Sequence, residues 1–217
     1  MSKGWGKVVE ELFSARKDLG VVGVAGGHLM PDCPASWFTC HTVSYNICQH
    51  NNDNQYTPKR YSNFYMPKGG IEVACVDGLW MGIRKELFKT IRFDEDSFDG
   101  FHAYDIDICM QAIKAGFSVR ITDEVDIYHK SPGTCDGNFL KAMDTWHKKW
   151  HTMLPIVRGV DLPDDVVLLH QGYAEEMLDQ QRQNVEMSKR LHSPEYRLGH
   201  FLLKPWRFAK RSLHLQR

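Results

Sequence analysis

The sequence predicts an α/β fold, in which helices and strands alternate along the chain. The first observation is an amphipathic helical pattern over residues 5–18 that leads into an apolar strand pattern over residues 21–25. The second is a further alternation of strand and helix patterns over residues 71–128. The third is the composition, because 42% hydrophobic and 12% aromatic residues are typical of a globular chain with a core.

The chain begins with a helix that is followed by a strand. Apolar side chains recur at helical spacing over residues 8–13 with charged side chains opposite, and Gly20 is expected to follow the end of the helix. The letters V-V-G-V-A over residues 21–25 predict a buried strand, which Gly26 and Gly27 are expected to stop.

Residues 28–70 predict an irregular segment, because they are rich in Asn, Pro, Tyr and Ser and have weak periodicity. More than forty such residues exceed the usual length of a loop. Two interpretations stay open: short strands within the segment, or an insertion at an active site.

In the second half of the chain, the pattern of apolar residues predicts short strands and helices first and longer helices after them. Strands are expected over residues 71–76, 80–83, 117–121 and 125–128, and helices over residues 84–90, 105–115, 139–153 and 165–191. The last helix is very polar, which indicates a solvated arm or a partner helix. Residues 196–217 mix Lys and Arg with Trp, Phe and Leu, a composition typical of a helix on an anionic membrane surface or of a helix packed on protein.

The net charge and the distribution of apolar residues exclude some classes of protein. The 27 Lys and Arg residues balance the 27 Asp and Glu residues, so the whole chain has no field that would attract nucleic acid. The sequence holds neither an apolar run of the ~18 residues that a membrane span needs nor a secretory signal pattern. We therefore expect a cytoplasmic protein, peripheral at the inner face of the membrane if residues 196–217 bind it, with its six cysteines reduced.

The residues that predict chemistry lie between Asp94 and Asp107, where six acids precede or begin a predicted helix. Acids at a helix start complement the helix dipole, which is one explanation for them. The other is a carboxylate that faces a cleft as a general base or metal ligand. Asp105 and Asp107 are two residues apart, so at a helix start they point in different directions, and one of them can face a cleft.

Five motifs then occur in a fixed order. The strand V-V-G-V-A-G begins at Val21, and the other segments are V-D-G-L-W-M-G-I-R-K-E-L-F from Val76, I-R-F-D-E from Ile91, H-A-Y-D-I-D-I-C-M-Q-A-I-K-A-G-F from His102, and I-Y-H-K-S from Ile127. This order resembles the family-2 glycosyltransferases of the GT-A type, and more narrowly their streptomycin-biosynthesis-type subgroup. The resemblance covers about residues 5–155.

The resemblance implies a fold and a domain organisation. We expect an α/β architecture with a partial GT-A-like mixed sheet flanked by helices and a helical C-terminal extension. Residues 1–155 would form the acceptor-side domain, with the irregular insertion at residues 28–70, and residues 156–217 would form the extension.

The resemblance also implies roles for eight residues. Asp105 stands at the position of the base in inverting sugar transfer, and Tyr104 stands where the family usually has Glu. His129 matches a strand-end His that helps to hold a divalent metal, Mg or Mn, with the nucleotide diphosphate. Acceptor binding is expected to involve Tyr104 together with Asp77, Gly78, Trp80, His102 and Asp107. The alternative for Trp80 is core packing, and Asp107 is the member of the pair more suited to a structural role.

A donor half is not recognisable in the sequence. The family uses a nucleotide-binding sheet and a D-x-D metal motif before this part, whereas only one helix precedes Val21 here. We therefore expect the chain to be the C-terminal two-thirds of a longer protein or to need a partner chain that supplies the donor half. We also expect little or no transfer from a nucleotide sugar to a glycan or lipid-linked acceptor by the chain alone.

Two other functions are open alternatives. The Cys- and His-rich residues 28–50 would form a small zinc-binding module, although they lack a C-x-x-C pair. The chain would otherwise be a non-catalytic carbohydrate-binding or scaffold protein that stacks sugars on the aromatic side chains of the insertion. These are Trp37, Phe38, Tyr45, Tyr56, Tyr61, Phe64 and Tyr65.

Overall fold

The structure is a computed structural model and describes residues 1–50, 55–131, 133–196 and 198. Within these residues the chain is a mixed α/β protein with several sheets and a long helix towards the C-terminus, which confirms the predicted fold class. It divides into two compact units, Met1–Leu178 and Asp179–Arg217.

The bounds of the elements follow the chain. The helices are α1 Trp5–Ala15, α2 Tyr104–Lys114, α3 Gly137–Trp150 and α4 Asp164–Leu191. The strands are β1 Leu19–Gly23, β2 Ala25–Gly27, β3 Leu29–Met30, β4 Val43–His50, β5 Tyr56–Ser62, β6 Ile71–Glu72, β7 Cys75–Val76, β8 Met81–Ile83, β9 Ser118–Ile121, β10 Ile127–His129 and β11 Ile156–Val157.

The first sheet has the strand order β6-β9-β1-β8. Strand β1 is buried along its whole length because it lies between β9, which is parallel to it, and β8, which is antiparallel. Helix α1 precedes β1 and buries Leu12 against Leu19 and Val22. The opening helix and strand were therefore predicted with the right order.

The second sheet is built around β4, so residues 28–70 contain strands, which was one of the two interpretations left open for this segment. Strand β5 pairs with β4 along its length, while β2 and β10 pair with successive parts of β4. The hydrophobic alternation was hidden because the side chains of β4 that point inwards, Ser44 and Asn46, are polar. Asn46 Nδ2 donates a hydrogen bond of 3.0 Å to the carbonyl of Val125, which satisfies one of these buried groups.

The glycines at 26 and 27 do not stop a strand, contrary to the prediction, because both belong to β2. Strand β2 pairs with β4 on one side and with β7 on the other. A Cβ atom at Gly26 would collide with the carbonyl of Cys75, and one at Gly27 would lie 2.7 Å from Cβ of Trp37. Close packing within the sheet therefore requires glycine here.

The predicted strand over residues 71–76 is two strands in two different sheets. Strand β6 pairs with β9 in the first sheet, and β7 pairs with β2 in the second. The chain crosses between the sheets at Val73 and Ala74, which are completely buried. Because β7 runs in the same direction as β4 and β10, the carboxyl ends of these three strands lie on one edge of the second sheet.

The first compact unit extends beyond residue 155, where the sequence placed its boundary. Strand β11 pairs with β3, so residues 156–157 belong to a small third sheet of this unit. The first half of α4 buries Ala174 and Leu178 against Leu29 and Cys40. Residues that the sequence assigned to the helical extension thus pack on the core of the first unit.

The second unit begins inside α4. Its helical residues up to Leu191 are exposed or half-buried, and ion pairs such as Glu186 with Arg190 link successive turns. The helix on residues 196–217 that the composition predicted lies almost wholly outside the described residues. Within the described part of the chain, no helix is both long and apolar enough to span a bilayer.

Candidate functional site

A cavity of about 470 Å³ lies at the edge of the second sheet, where β7 and β10 end. The N-terminus of α2 forms one wall and α3 forms another. Asp77 and Gly78 follow β7, and His129 ends β10. Six of the eight predicted site residues line this cavity: Asp77, Gly78, His102, Tyr104, Asp105 and His129.

Asp105 lies in the first turn of α2 and is held by backbone groups from two elements. Its Oδ2 accepts a hydrogen bond of 2.8 Å from the N–H of Gly78, and its Oδ1 accepts one of 2.9 Å from the N–H of Ile106. Ala103, with a φ of 69°, turns the chain into the helix at this point. The backbone thus fixes the carboxylate, and each oxygen keeps a second lone pair for a ligand.

The pKa of Asp105 is raised from its ordinary value to about 6, first by burial and then by the negative charge of Asp77. The pKa of Asp77 is also raised by burial, against the hydrogen bond from the N–H of Leu79 and the charge of His129. A carboxylate with a pKa near 6 is ionised at neutral pH and is more basic than an ordinary aspartate. Asp105 is therefore suited to accept a proton.

Tyr104 and Gly78 form a close contact beside Asp105. The Tyr104 hydroxyl donates a hydrogen bond of 3.2 Å to the carbonyl of Gly78. A Cβ atom at position 78 would collide with the phenol oxygen and ring. Burial, followed by the charges of Asp105 and Asp77, raises the pKa of Tyr104, so the neutral phenol is favoured. A side chain at position 78 would therefore displace the phenol ring.

His129 faces the cavity with one ring nitrogen engaged. Its Nδ1 lies 3.0 Å from Oε1 of Gln49 at the end of β4. When Nδ1 donates to this amide oxygen, Nε2 carries the free lone pair that a ligand would need. Gln49 was not predicted as a site residue, because the sequence around it has no clear strand period.

His102 also lies on the cavity wall. Its ring packs edge-to-face on Phe139, with 5.5 Å between centroids, and its Nε2 is 3.8 Å from Oδ1 of Asp136. The side chain is thus positioned by α3 and can present a polar edge to a ligand.

Asp107 does not line the cavity, which agrees with the structural role rather than the acceptor contact that the resemblance left open for it. Its side chain is 1% exposed and lies on the face of α2 that packs against α3. Oδ1 accepts hydrogen bonds from Trp150 Nε1 at 2.7 Å and from Lys149 Nζ at 2.8 Å, and Oδ2 accepts one from Gln111. Asp107 therefore fastens two helices together.

Trp80 is not among the residues that line the cavity, although Gly78 and Leu79 just before it are. Its packing agrees with the alternative of a core role. The indole packs with the apolar side chains of β1 and α1, including Val22 and Leu12. It meets the ring of Trp5 edge-to-face, with 6.2 Å between centroids. Strand β8 begins directly after Trp80 and turns it towards the first sheet.

The apolar part of the cavity was only partly predicted. Of the seven aromatic residues proposed for sugar stacking, Trp37 and Phe38 line the cavity. Phe38 stacks on Phe139, with 6.2 Å between centroids. Phe139, at the start of the predicted helix over residues 139–153, was not predicted as a wall residue. Aromatic walls with a few polar groups are typical of small-molecule sites.

The described residues contain no group of three or more His, Cys, Asp and Glu side chains that could hold a metal ion. Residues 28–50 are all described, so the predicted zinc module has no such group of side chains in this structure. His28, for example, is buried and lies 3.0 Å from the hydroxyl of Ser44 and 3.1 Å from the carbonyl of Arg158. The divalent metal that the resemblance implies likewise does not find a complete ligand set in these residues.

Comparison with known proteins agrees with the motif order. No curated protein matches the sequence. A family model described as a glycosyltransferase-like family matches residues 1–151, which include both main sheets, the cavity and Asp105. Because this match covers more than half of the 217 residues, the chain belongs to the glycosyltransferase-like family.

Proposed function

We propose that the chain forms the acceptor side of an inverting glycosyltransferase, with Asp105 as its catalytic base. The reaction would transfer a sugar from a nucleotide-sugar donor to a hydroxyl of a glycan or lipid-linked acceptor. The observation that carries the proposal is the raised pKa of a carboxylate that backbone N–H groups hold at a cavity of sugar size.

The proposed reaction is a single displacement at the anomeric carbon of the donor. The acceptor oxygen attacks the anomeric carbon of the donor, and the bond from that carbon to the diphosphate breaks with its electron pair on the diphosphate. The proton of the acceptor hydroxyl moves to Asp105, whose pKa of about 6 lets it take this proton at neutral pH. Attack from the face opposite the leaving group inverts the configuration.

The neighbours of Asp105 support this role in different ways. Asp77 adds negative charge that raises the pKa of Asp105. Gly78 donates its N–H to the carboxylate, and Tyr104 holds the carbonyl of Gly78 in place. His102, Tyr104 and Asp77 are the side chains from which we expect polar contacts to the acceptor.

A divalent metal, if bound, would stabilise the charge of the departing diphosphate. His129 is the one side chain that we propose as a ligand, through its Nε2. Because the described residues do not complete a metal site, the other ligands would come from the donor diphosphate and from another polypeptide segment. We propose that this segment, in a partner chain or elsewhere, supplies the donor-binding half.

A non-catalytic role in carbohydrate binding is the second candidate. It is favoured by the aromatic wall of Trp37, Phe38 and Phe139, which would hold a sugar without any donor. The two functions differ in their dependence on Asp105. Binding alone would tolerate an amide at this position, whereas base catalysis requires a carboxylate.

The test is the restoration of sugar transfer in an extract from source cells that lack the gene. Purified chain is added to this extract with a panel of labelled nucleoside-diphosphate sugars, and transfer to endogenous acceptors is measured. We expect wild-type chain to restore transfer and Asp105→Asn to lower it by about 100-fold or more. The matched control is Asp123→Asn, an exposed acid outside the cavity.

Two results would contradict the proposal. One is equal restoration by wild-type chain and Asp105→Asn, which would favour the carbohydrate-binding role. The other is the absence of any restored transfer with every donor in the panel. Transfer by the purified chain without the extract would contradict only the proposed need for a separate donor half.

A further inference from the structure

A second cavity, of about 540 Å³, lies beside the first and shares two wall residues with it. These are Phe101 and His102, at the end of the acidic loop that leads into α2. The second cavity is bounded by this loop on one side and by α3 on the other. The two cavities are therefore adjacent at Phe101 and His102.

Phe101 is an apolar side chain that is 78% exposed at the junction of the two cavities. Its ring is not isolated, because it meets Tyr104 and His102 edge-to-face, with 5.9 Å and 5.8 Å between ring centroids. These contacts hold the ring while its face stays open. An exposed and supported aromatic face is a platform for the apolar face of a sugar ring.

The rest of the second cavity is polar. Asn138, Lys141 and Thr145 lie on the exposed face of α3, and Asp96 and Asp99 lie on the loop opposite. Amide, hydroxyl, carboxylate and ammonium groups provide both donors and acceptors, as the hydroxyls of a sugar require.

We propose that the second cavity binds the second sugar unit of the acceptor, with Phe101 as its stacking platform. This inference rests on the proposed function, since it assumes that the first unit lies at Asp105. The acceptor would then be an oligosaccharide, free or lipid-linked, of at least two units.

The charged side chains of the second cavity indicate which kind of sugar can be the second unit of the acceptor. Two carboxylates, Asp96 and Asp99, face one ammonium group, that of Lys141. The excess of negative charge disfavours a uronic acid or a phosphorylated sugar. The second unit is therefore a neutral sugar or an amino sugar.

The test uses methyl signals that report on each cavity separately. Met143 lines the first cavity and Ala142 lines the second, so their ¹³C-labelled methyl groups distinguish the two. The probes are the methyl glycosides of glucose, galactose, mannose and N-acetylglucosamine, together with linear di- and trisaccharides of the same sugars. Cellobiouronic acid serves as an acidic disaccharide.

We expect a monosaccharide to shift the Met143 signal alone and a matching disaccharide to shift both signals. The disaccharide should bind at least about tenfold more tightly than the monosaccharide. Phe101→Ala should remove this gain and the shift of Ala142; because Phe101 also borders the first cavity, the ratio of disaccharide to monosaccharide affinity is compared between the variant and the wild type. Phe88→Ala is the matched control, because Phe88 is also an exposed aromatic residue but lies outside both cavities.

The outcomes separate this inference from the proposed function. A disaccharide that shifts Met143 only, or a gain that survives in Phe101→Ala, would overturn the second subsite and leave Asp105 as the base. Equal or tighter binding of the acidic disaccharide would overturn the assignment of a neutral or amino sugar. If no probe shifted either methyl signal, the result would count against both the subsite and the acceptor site beside it.

Discussion

The carboxylate of Asp105 accepts a hydrogen bond of 2.8 Å from the backbone N–H of Gly78. This contact joins the N-terminus of α2 to the turn after β7, and it also brings Asp105 close to the charge of Asp77. The position of the proposed base is thus set by a turn 27 residues earlier in the chain.

The raised pKa of Asp105 predicts how stability varies with pH. A carboxyl group whose pKa is about 6 in the folded state, above its value of about 4 in the unfolded chain, stabilises the fold fully below pH ~4. This contribution is lost as the pH rises through about 6. Thermal unfolding between pH ~4 and ~8 should therefore show a decrease in stability for the wild type that is smaller in Asp105→Asn. Equal decreases in the two proteins would contradict the raised pKa.

Gly78→Ala should disturb the contact between the turn and Tyr104. The new Cβ atom would collide with the phenol, so the ring must move, at a cost of about 1–3 kcal/mol in the free energy of unfolding. In Gly78→Ala/Tyr104→Ala the collision is absent, and the double variant should lose less stability than the sum of the two single variants. Chemical denaturation of the four proteins measures this coupling, and strict additivity would show that the two residues do not interact.

Asp107→Ala should destabilise the fold without changing the side chains that line the cavity. The substitution leaves the indole N–H of Trp150 and the ammonium of Lys149 without their shared acceptor. Because Lys149 is partly exposed, we expect a loss of about 2–4 kcal/mol, towards the lower side of the range for broken buried pairs. Saccharide binding near Asp105 should be unchanged in protein that remains folded, and a selective loss of binding would contradict the structural role.

Trp80→Ala separates the observed packing from the predicted sugar contact. The half-buried indole packs on Val22 and Trp5, so its removal should cost about 1–3 kcal/mol of stability. The response of the Met143 methyl to monosaccharides should be retained, because Trp80 lies outside the cavity. Loss of that response in a folded variant would show that Trp80 takes part in acceptor binding.

Elements whose apolar residues recur with a clear period were predictable from the sequence. Strands that bury polar residues or are mostly exposed were not. Helix α2 begins and ends within one residue of its predicted bounds, since its apolar face is regular and Gly116 follows it. Strand β4 was not predicted, because polar residues fill its inward positions. Its partner β5 is exposed over almost its whole length and has no apolar face to detect.

The contacts around Asp105 join residues of two motifs that the sequence analysis had singled out, those that begin at Val76 and at His102. Asp105, Tyr104 and Gly78 come together as the motif order implied. Trp80 and Asp107 could not be assigned in this way, because the direction of a side chain depends on which sheet or helix its own element packs against. Phe101 lies in the acidic loop, where no periodicity indicates which side chains face a cavity.

The pH–rate profile of the restored transfer tests the role of Asp105 most directly. With wild-type chain, the rate should rise with pH to a plateau, with a midpoint near the pKa of about 6. Asp105→Glu should keep part of this rate with a displaced midpoint, while Asp105→Asn should have a rate at least about 100-fold lower at every pH. A profile without a rise through this range, or full activity in Asp105→Asn, would contradict the assignment of Asp105 as the base.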